Sequence, residues 1–264
     1  MRHGLKASKR IVIKVGTSTL THPNGHLHLG RMEALVRQLA DLHAEGRRIT
    51  LVTSGAVGAG MGRLGLDRRP SETLTKQALA AVGQGLLMHR YEALFSECGR
   101  AVGQILLTRQ DFEDDHRRAV AAGVIDRLLS WGVIPVVNEN DSVSSEQIGV
   151  GDNDTLSARV AAMIGADLLV LLSDVDGLYT EDPRGKTGLS PLTCVSARDD
   201  LEAMAGGAGS VRGTGGMVTK IHAARICAAA RIPMVLANGA APGVLRLILA
   251  GEAVGTLFAE EVGA

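Results

Sequence analysis

The sequence predicts an α/β protein: an open, mainly parallel sheet sandwiched between helices. Three observations predict it. Short apolar, β-branched runs alternate with longer amphipathic segments along nearly the whole chain, the rhythm of repeated βα units whose sheet is covered on both faces. Of the 264 residues, 45% are apolar but only 2% aromatic, so the core must be Val, Ile, Leu and Ala. Four of the runs end in small or polar clusters, and in such sheets ligands lie beyond the carboxyl ends of the strands.

"RIVIKVG" (10–16) reads as the first buried strand. Leu29, Met32, Leu35, Val36, Leu39 and Leu42 then recur at helical spacing. "RRITLVTS" is the second strand, ending at Ser54, and "TSGAVGAG" (53–60) is a strand-to-helix turn. A long helix is expected over 73–98. "AVGQILLT" (101–108), "VIPVVNE" (133–139), "DLLVLLSD" (167–174) and "IPMVLANG" (232–239) are further strands, with helices near 116–130, 154–164, 216–230 and 243–250. "DPRGKTGLSPL" (182–192) is a turn-rich connector. With no internal repeat and no low-complexity linker, a single domain over 1–264 is expected, with a new βα series starting near 165–175.

Composition removes several classes of function. Lys plus Arg and Asp plus Glu both total 28, which leaves no basic footprint for nucleic acid. The few aromatics leave no stacking platform for single strands. Cys98, Cys194 and Cys227 are far apart, without metal-type spacing, and suit a reducing cytoplasm. The apolar run "IVI" after the basic N-terminus is too short for a signal peptide. No apolar stretch approaches the roughly 20 residues a membrane span needs. A cytoplasmic protein with no nucleic-acid and no membrane partner is expected.

The chemistry-bearing residues sit at the strand ends. Lys14 lies inside an apolar strand, where an unpaired ammonium is costly. Gly16 and three hydroxyl residues follow it, giving either a phosphate-binding turn or an edge-strand lysine before a plain turn. Ser54 opens a small-residue turn whose amides either attract an anion or simply cap a closely packed helix. "GTGGMVTK" (213–220) sets glycines before a helix with Lys220 on its first turns, suiting a polyphosphate or a hinge. "SDVDGLYTEDPR" (173–184) lacks the frame of a calcium loop and reads as a nucleotide-side loop or solvated turn. Between Arg127 and Arg159 there is no Lys, Arg or His, yet Glu139, Asp141, Glu146, Asp152 and Asp154 fall there. Asp141, Asp152, Asn153 and Asp154 would share the crevice with Lys14 and Lys220. There they would bind an ammonium group, hold Mg²⁺ through waters, or orient the two lysines.

Together "VIKVGTSTL", "VTSGAVGAG", "KQALAAVGQ", "VGQILLT", "PVVNENDSV", "VGDNDTLSA", "LLSDVDGLYTEDPR", "GTGGMVTK" and "GTLF" resemble the amino acid kinase family, in the branch that phosphorylates L-glutamate. "NEND" followed by "VGDND" is the most specific part. The resemblance runs from Arg10 to Phe258 and implies that family's αβα sandwich, with glutamate over a half near 10–165 and ATP, with Mg²⁺, over a half near 166–260. It implies Lys14, Asp154 and Lys220 as the catalytic set, and Ser54, Asp141 and Asn153 on glutamate with Asp152 nearby. It sets Lys14, Gly16, Ser173, Asp174, Thr214, Gly215, Gly216, Met217, Val218, Thr219 and Lys220 toward ATP. No residue is assigned directly to metal. It further implies a homodimer or homotetramer restrained by proline, in the first step of proline synthesis, with glutamyl phosphate reductase as a possible partner. Many bacterial members of the branch carry an RNA-binding-like C-terminal module, and the expectation here is a chain without it. Other acyl-acid or nucleotide monophosphate kinases on the scaffold, and a non-catalytic amino-acid sensor, are the competing readings.

Overall fold

The computed structural model of the chain describes residues 2–22, 24–144, 152–181, 188–196 and 215–259. Among these, eight strands form a mainly parallel sheet flanked by helices. By contact the chain divides into two units, Val15–Gly149, and Met1–Lys14 with Val150–Ala264. After a 3-10 turn at Arg2–Ala7, β1 (Arg10–Val15) opens the regular structure.

The unit Val15–Gly149 contains α1 (Thr17–Leu20), α2 (Leu29–Ala44), β2 (Arg48–Val52), α3 (Ala56–Leu64), α4 (Thr73–Glu97), β3 (Val102–Leu107), α5 (Gln110–Glu113), α6 (Asp115–Ser130) and β4 (Ile134–Glu139). Its strands run β3-β4-β2, all parallel, with Leu51 opposite Val136 and Ile105 opposite Val137. On α2 the residues Met32, Leu35, Val36, Leu39 and Leu42 are buried as their spacing predicts. Leu29 is instead 50% exposed, because it is the first residue of the helix, beyond the stretch that meets the core. The long helix predicted over 73–98 is α4. It buries Leu79, Ala80, Gly83, Leu87, Tyr91 and Phe95, a stripe with a spacing close to four.

The other unit adds α7 (Asp152–Met163), β5 (Leu168–Ser173), β6 (Cys194–Ser196), α8 (Gly215–Ala229), β7 (Met234–Asn238), α9 (Val244–Ala250) and β8 (Thr256–Ala259). Its order is β1-β5-β7-β8-β6. All six residues of β5 and five of six in β1 are buried, as expected of strands covered on both faces. β5 and β7 are parallel, but β8 runs antiparallel to β7, with Met234 opposite Phe258. The sequence offers no sign of β6 or β8, which at three and four residues are too short to display a period. Distant contacts fix β8 instead. The Arg2 guanidinium donates to the carbonyls of Thr193, Glu252, Val254 and Gly255 at 2.6–2.9 Å. Thr256 Oγ1 accepts from the Leu178 amide at 2.8 Å and donates to the Leu192 carbonyl at 2.6 Å. Gly255 holds φ +70°, and the Leu236 carbonyl lies 2.2 Å from where a Cβ would be, so only glycine fits. Among the described residues no helix is long and apolar enough to cross a membrane.

Candidate active site

One carboxylate gathers two ammonium groups. Lys14, near the end of β1, brings Nζ to 2.6 Å from Asp154 Oδ1. Lys220, in the second turn of α8, brings Nζ to 3.3 Å from Asp154 Oδ2 and donates to the Gly216 carbonyl at 2.9 Å. Thr219 Oγ1 lies 2.9 Å from Asp154 Oδ2 and 3.0 Å from the same Gly216 carbonyl. Asp154 is the third residue of α7, near a helix N-terminus that favours negative charge. It is 1% exposed and Lys14 is 6% exposed. β1, α7 and α8 thus hold the three charges together within one unit of the chain.

Burial and charge oppose one another here. Burial pulls the Lys14 ammonium below its ordinary 10.5, and the Asp154 carboxylate opposes the fall without cancelling it. For Asp154, burial alone would raise the carboxyl. Lys14, Lys220 and the hydrogen bonds from Lys14 and Thr219 outweigh burial and hold it below the usual carboxylate range. The carboxylate is therefore ionised at neutral pH, as a counter-charge to two ammonium groups must be.

The other predicted residues lie in the same unit as this cluster or in the unit Val15–Gly149. Ser173 ends β5, is buried, and donates to Asp174 Oδ1 at 3.0 Å. Asp176 follows in the same turn and accepts from Asn238 Nδ2 at 2.8 Å. Gly215 and Gly216 open α8, followed by Met217 and the exposed Val218. Thr214, Glu146 and the side chain of Asp152 lie outside the described residues, and Asn153 is half-buried on α7. In the unit Val15–Gly149, Gly16 caps α1 without a side-chain bond. Ser54 lies buried just past β2, followed by Gly55 at φ +101° as the N-cap of α3.

Asp141 follows β4, and α4 braces the chain on either side of it, at Asn138 and Ser144. Gln84 Oε1 accepts from Asn138 Nδ2 at 2.8 Å, and Gln77 Nε2 donates to the Ser144 carbonyl at 2.7 Å. Ser144 Oγ in turn donates to Glu139 Oε1 at 2.9 Å. The two glutamines, seven residues apart on one helix face, were legible in "KQALAAVGQ" only as a spacing without a target. Sequence reasoning also missed the contact of Thr219 with Asp154.

The amino acid kinase family model matches residues 9–238. The chain belongs to the amino acid kinase family. Glutamate 5-kinase of Symbiobacterium thermophilum is 71% identical over 99% of this chain and 100% of its own. Glutamate 5-kinases of Clostridium acetobutylicum and Clostridium tetani are 54% and 51% identical, covering 94% and 96% of both chains. Among solved structures, a UMP kinase from Bacillus anthracis aligns with a TM-score of 0.66 at 18% identity, covering 97% of both chains. An isopentenyl phosphate kinase product complex from T. acidophilum aligns at 0.67 and 17% identity, covering 94% of this chain and 99% of that one. At that identity the two structures establish the shared amino acid kinase fold. In this member of the family, β1, α7 and α8 bring two ammonium groups onto one buried carboxylate.

Proposed function

We propose that the chain transfers the γ-phosphoryl group of ATP to the side-chain carboxylate of L-glutamate, giving L-glutamyl 5-phosphate and ADP, the first step of proline synthesis. The carrying observation is the buried Lys14–Asp154–Lys220 cluster. The glutamate 5-kinases at 51–71% identity support the choice of acceptor.

The acceptor carboxyl has a free pKa of about 4.3 and is already ionised at neutral pH, so no general base is needed. The difficulty is a like-charge encounter between that anion and a polyphosphate. Positioning and charge neutralisation carry such a reaction. A glutamate side-chain oxygen forms the new bond to the γ-phosphorus as the bond to the β,γ-bridging oxygen breaks, and ADP leaves with that electron pair. Lys14 and Lys220 flank the transferring group while Asp154 fixes both ammonium groups. Mg²⁺ enters with ATP as the metal nucleotide. Gly16, Gly215 and Gly216 supply backbone amides to the phosphates, with Ser173, Asp174 and the run from Thr214 to Lys220 beside the nucleotide. Ser54, Asp141 and Asn153 hold glutamate, with Asp152 nearby, and the acidic groups select a free α-ammonium. The same reading has a cytoplasmic homodimer or homotetramer restrained by proline. A nucleotide monophosphate acceptor is disfavoured, because the 128–158 stretch offers no Lys, Arg or His for its phosphate.

Trapping the acyl phosphate with hydroxylamine, with ATP and Mg²⁺ present, tests the reading. Hydroxamate is expected from glutamate. N-acetylglutamate should fall at least about tenfold in kcat/KM, because it leaves the carboxylates that meet the α-ammonium without their partner, at about 1–3 kcal/mol. Equal turnover of the two acids would remove Asp141 and Asp152 from substrate selection. No hydroxamate from glutamate would overturn the activity itself.

A further inference from the structure

We infer that Thr219 is a positioning residue: its hydroxyl occupies Asp154 Oδ2 and keeps Lys220 from closing onto the carboxylate, so that the Lys220 ammonium stays available to the transferring phosphoryl group. The role rests on the phosphoryl transfer proposed above and assigns it a further residue.

Two donors here share two acceptors. Thr219 Oγ1 is 2.9 Å from Asp154 Oδ2 and 3.0 Å from the Gly216 carbonyl. Lys220 Nζ is 2.9 Å from that carbonyl and 3.3 Å from Oδ2. A threonine hydroxyl has one proton to give, and an ionised carboxylate draws it more strongly than an amide carbonyl. The hydroxyl therefore belongs to Oδ2, and Lys220 takes its shorter bond to Gly216. Lys14 already holds Oδ1 at 2.6 Å. With Asp154 1% exposed, bulk water is not at hand to replace a missing donor on Oδ2. Without the hydroxyl, the hydrogen bond left on Oδ2 among the described residues is that of Lys220, which would close into a tight pair and lose its freedom to meet phosphate.

The local sequence sets this up. Thr219 and Lys220 are adjacent, and Gly216 lies three and four residues before them, on the same helix face. The branched Cβ of threonine restricts its rotamers and so pre-sets the hydroxyl. Among the described residues, the charged groups facing Asp154 are Lys14 from β1 and Lys220 from α8, and Lys14 also feels Asp174 beyond β5. The Thr219 hydrogen bond stabilises the ionised carboxylate, so its loss should raise the Asp154 carboxyl.

The test uses Thr219→Val, which keeps the shape and removes the hydroxyl, beside Thr219→Ser, which keeps the hydroxyl. Thr219→Val should lower kcat for glutamate phosphorylation by about tenfold or more, the scale of one hydrogen bond to a charged group. KM for glutamate should stay within about twofold, since a group acting on the transition state alone does not change ground-state binding. The acid limb of kcat should move to higher pH. Thr219→Ser should recover most of kcat and the wild-type acid limb. A ¹³C titration of the Asp154 carboxyl, which needs no turnover, should read the same upward shift in Thr219→Val. Wild-type kcat and an unmoved Asp154 titration in that variant would overturn the role. So would a serine variant as slow as the valine one, which would assign the effect to packing. If Thr219→Val does not fold, Thr219→Ala carries the same expectations. An inactive wild type would instead sink the proposed function, with the Asp154 titration still deciding the contact.

Discussion

Lys14 shares its strand with Ile11, Val12, Ile13 and Val15, all buried. A lysine among such neighbours survives only with a counter-charge, and that necessity was legible in "RIVIKVG". Residue type alone did not single out its partner among the acids from Glu139 to Asp154, but the family resemblance pointed to Asp154, and among the described residues that carboxylate reaches it. Burial lowers the Lys14 pKa from 10.5, and the sign of the consequence follows. Below its folded pKa the ammonium is charged and paired with Asp154. As pH rises through that value the proton is lost, and under the proposed function phosphate stabilisation goes with it. The alkaline limb of kcat/KM for ATP should therefore be centred below 10.5. A limb at or above 10.5 in a pH–rate profile would remove Lys14 from the chemistry. For Asp154 the folded pKa is depressed, so its stabilising contribution is complete above 3.8 and disappears as pH falls through the lower folded value.

The pairing of α3 with α4 shows how an element can be specified by what a residue lacks. A Cβ on Gly83 would sit 1.8 Å from the Ala56 carbonyl oxygen, and one on Gly60 would sit 2.0 Å from that of Leu79. The two helices meet backbone to backbone at these glycines, which explains the small residues of "TSGAVGAG" through packing on α4. Gly85, two residues further along α4, is exposed, and a methyl group there would meet nothing within 4 Å. The two glycines are indistinguishable in "AVGQG", and only the packing separates them. Gly83→Ala should destabilise by about 1–3 kcal/mol or more, because the helices must part. Gly85→Ala should be neutral or stabilising by up to about 1 kcal/mol, from helix propensity alone. Urea unfolding of both variants checks this, and a Gly83→Ala protein as stable as Gly85→Ala would refute the close approach. α4 also presents Gln77 and Gln84 to Ser144 and Asn138, on either side of Asp141.

At the scale of the whole chain, the three thiols divide by burial. Cys227 on α8 is 1% exposed and burial pushes its pKa up to about 12, whereas Cys98 and Cys194 are half-buried. A neutral-pH alkylation time course read by mass spectrometry should modify Cys98 and Cys194 first. Cys227 should react only as the structure around it opens. Modification of Cys227 as fast as Cys98 would show that its surroundings open readily. The αβα architecture itself is shared with kinases at 17–18% identity, so identity of residues is not what maintains it. Sequence alone determined the class of sheet, the positions of β1 to β5 and β7, the amphipathic helices and the family. Each of these is written in local period, β-branching or contiguous motif, which neighbouring residues decide between themselves. Tertiary structure alone decided that β8 runs antiparallel beside β7, which glycines are obligatory, and that Thr219 joins the two lysines on Asp154. Those outcomes depend on which distant surfaces exclude water together, and no local stretch of chain contains that information.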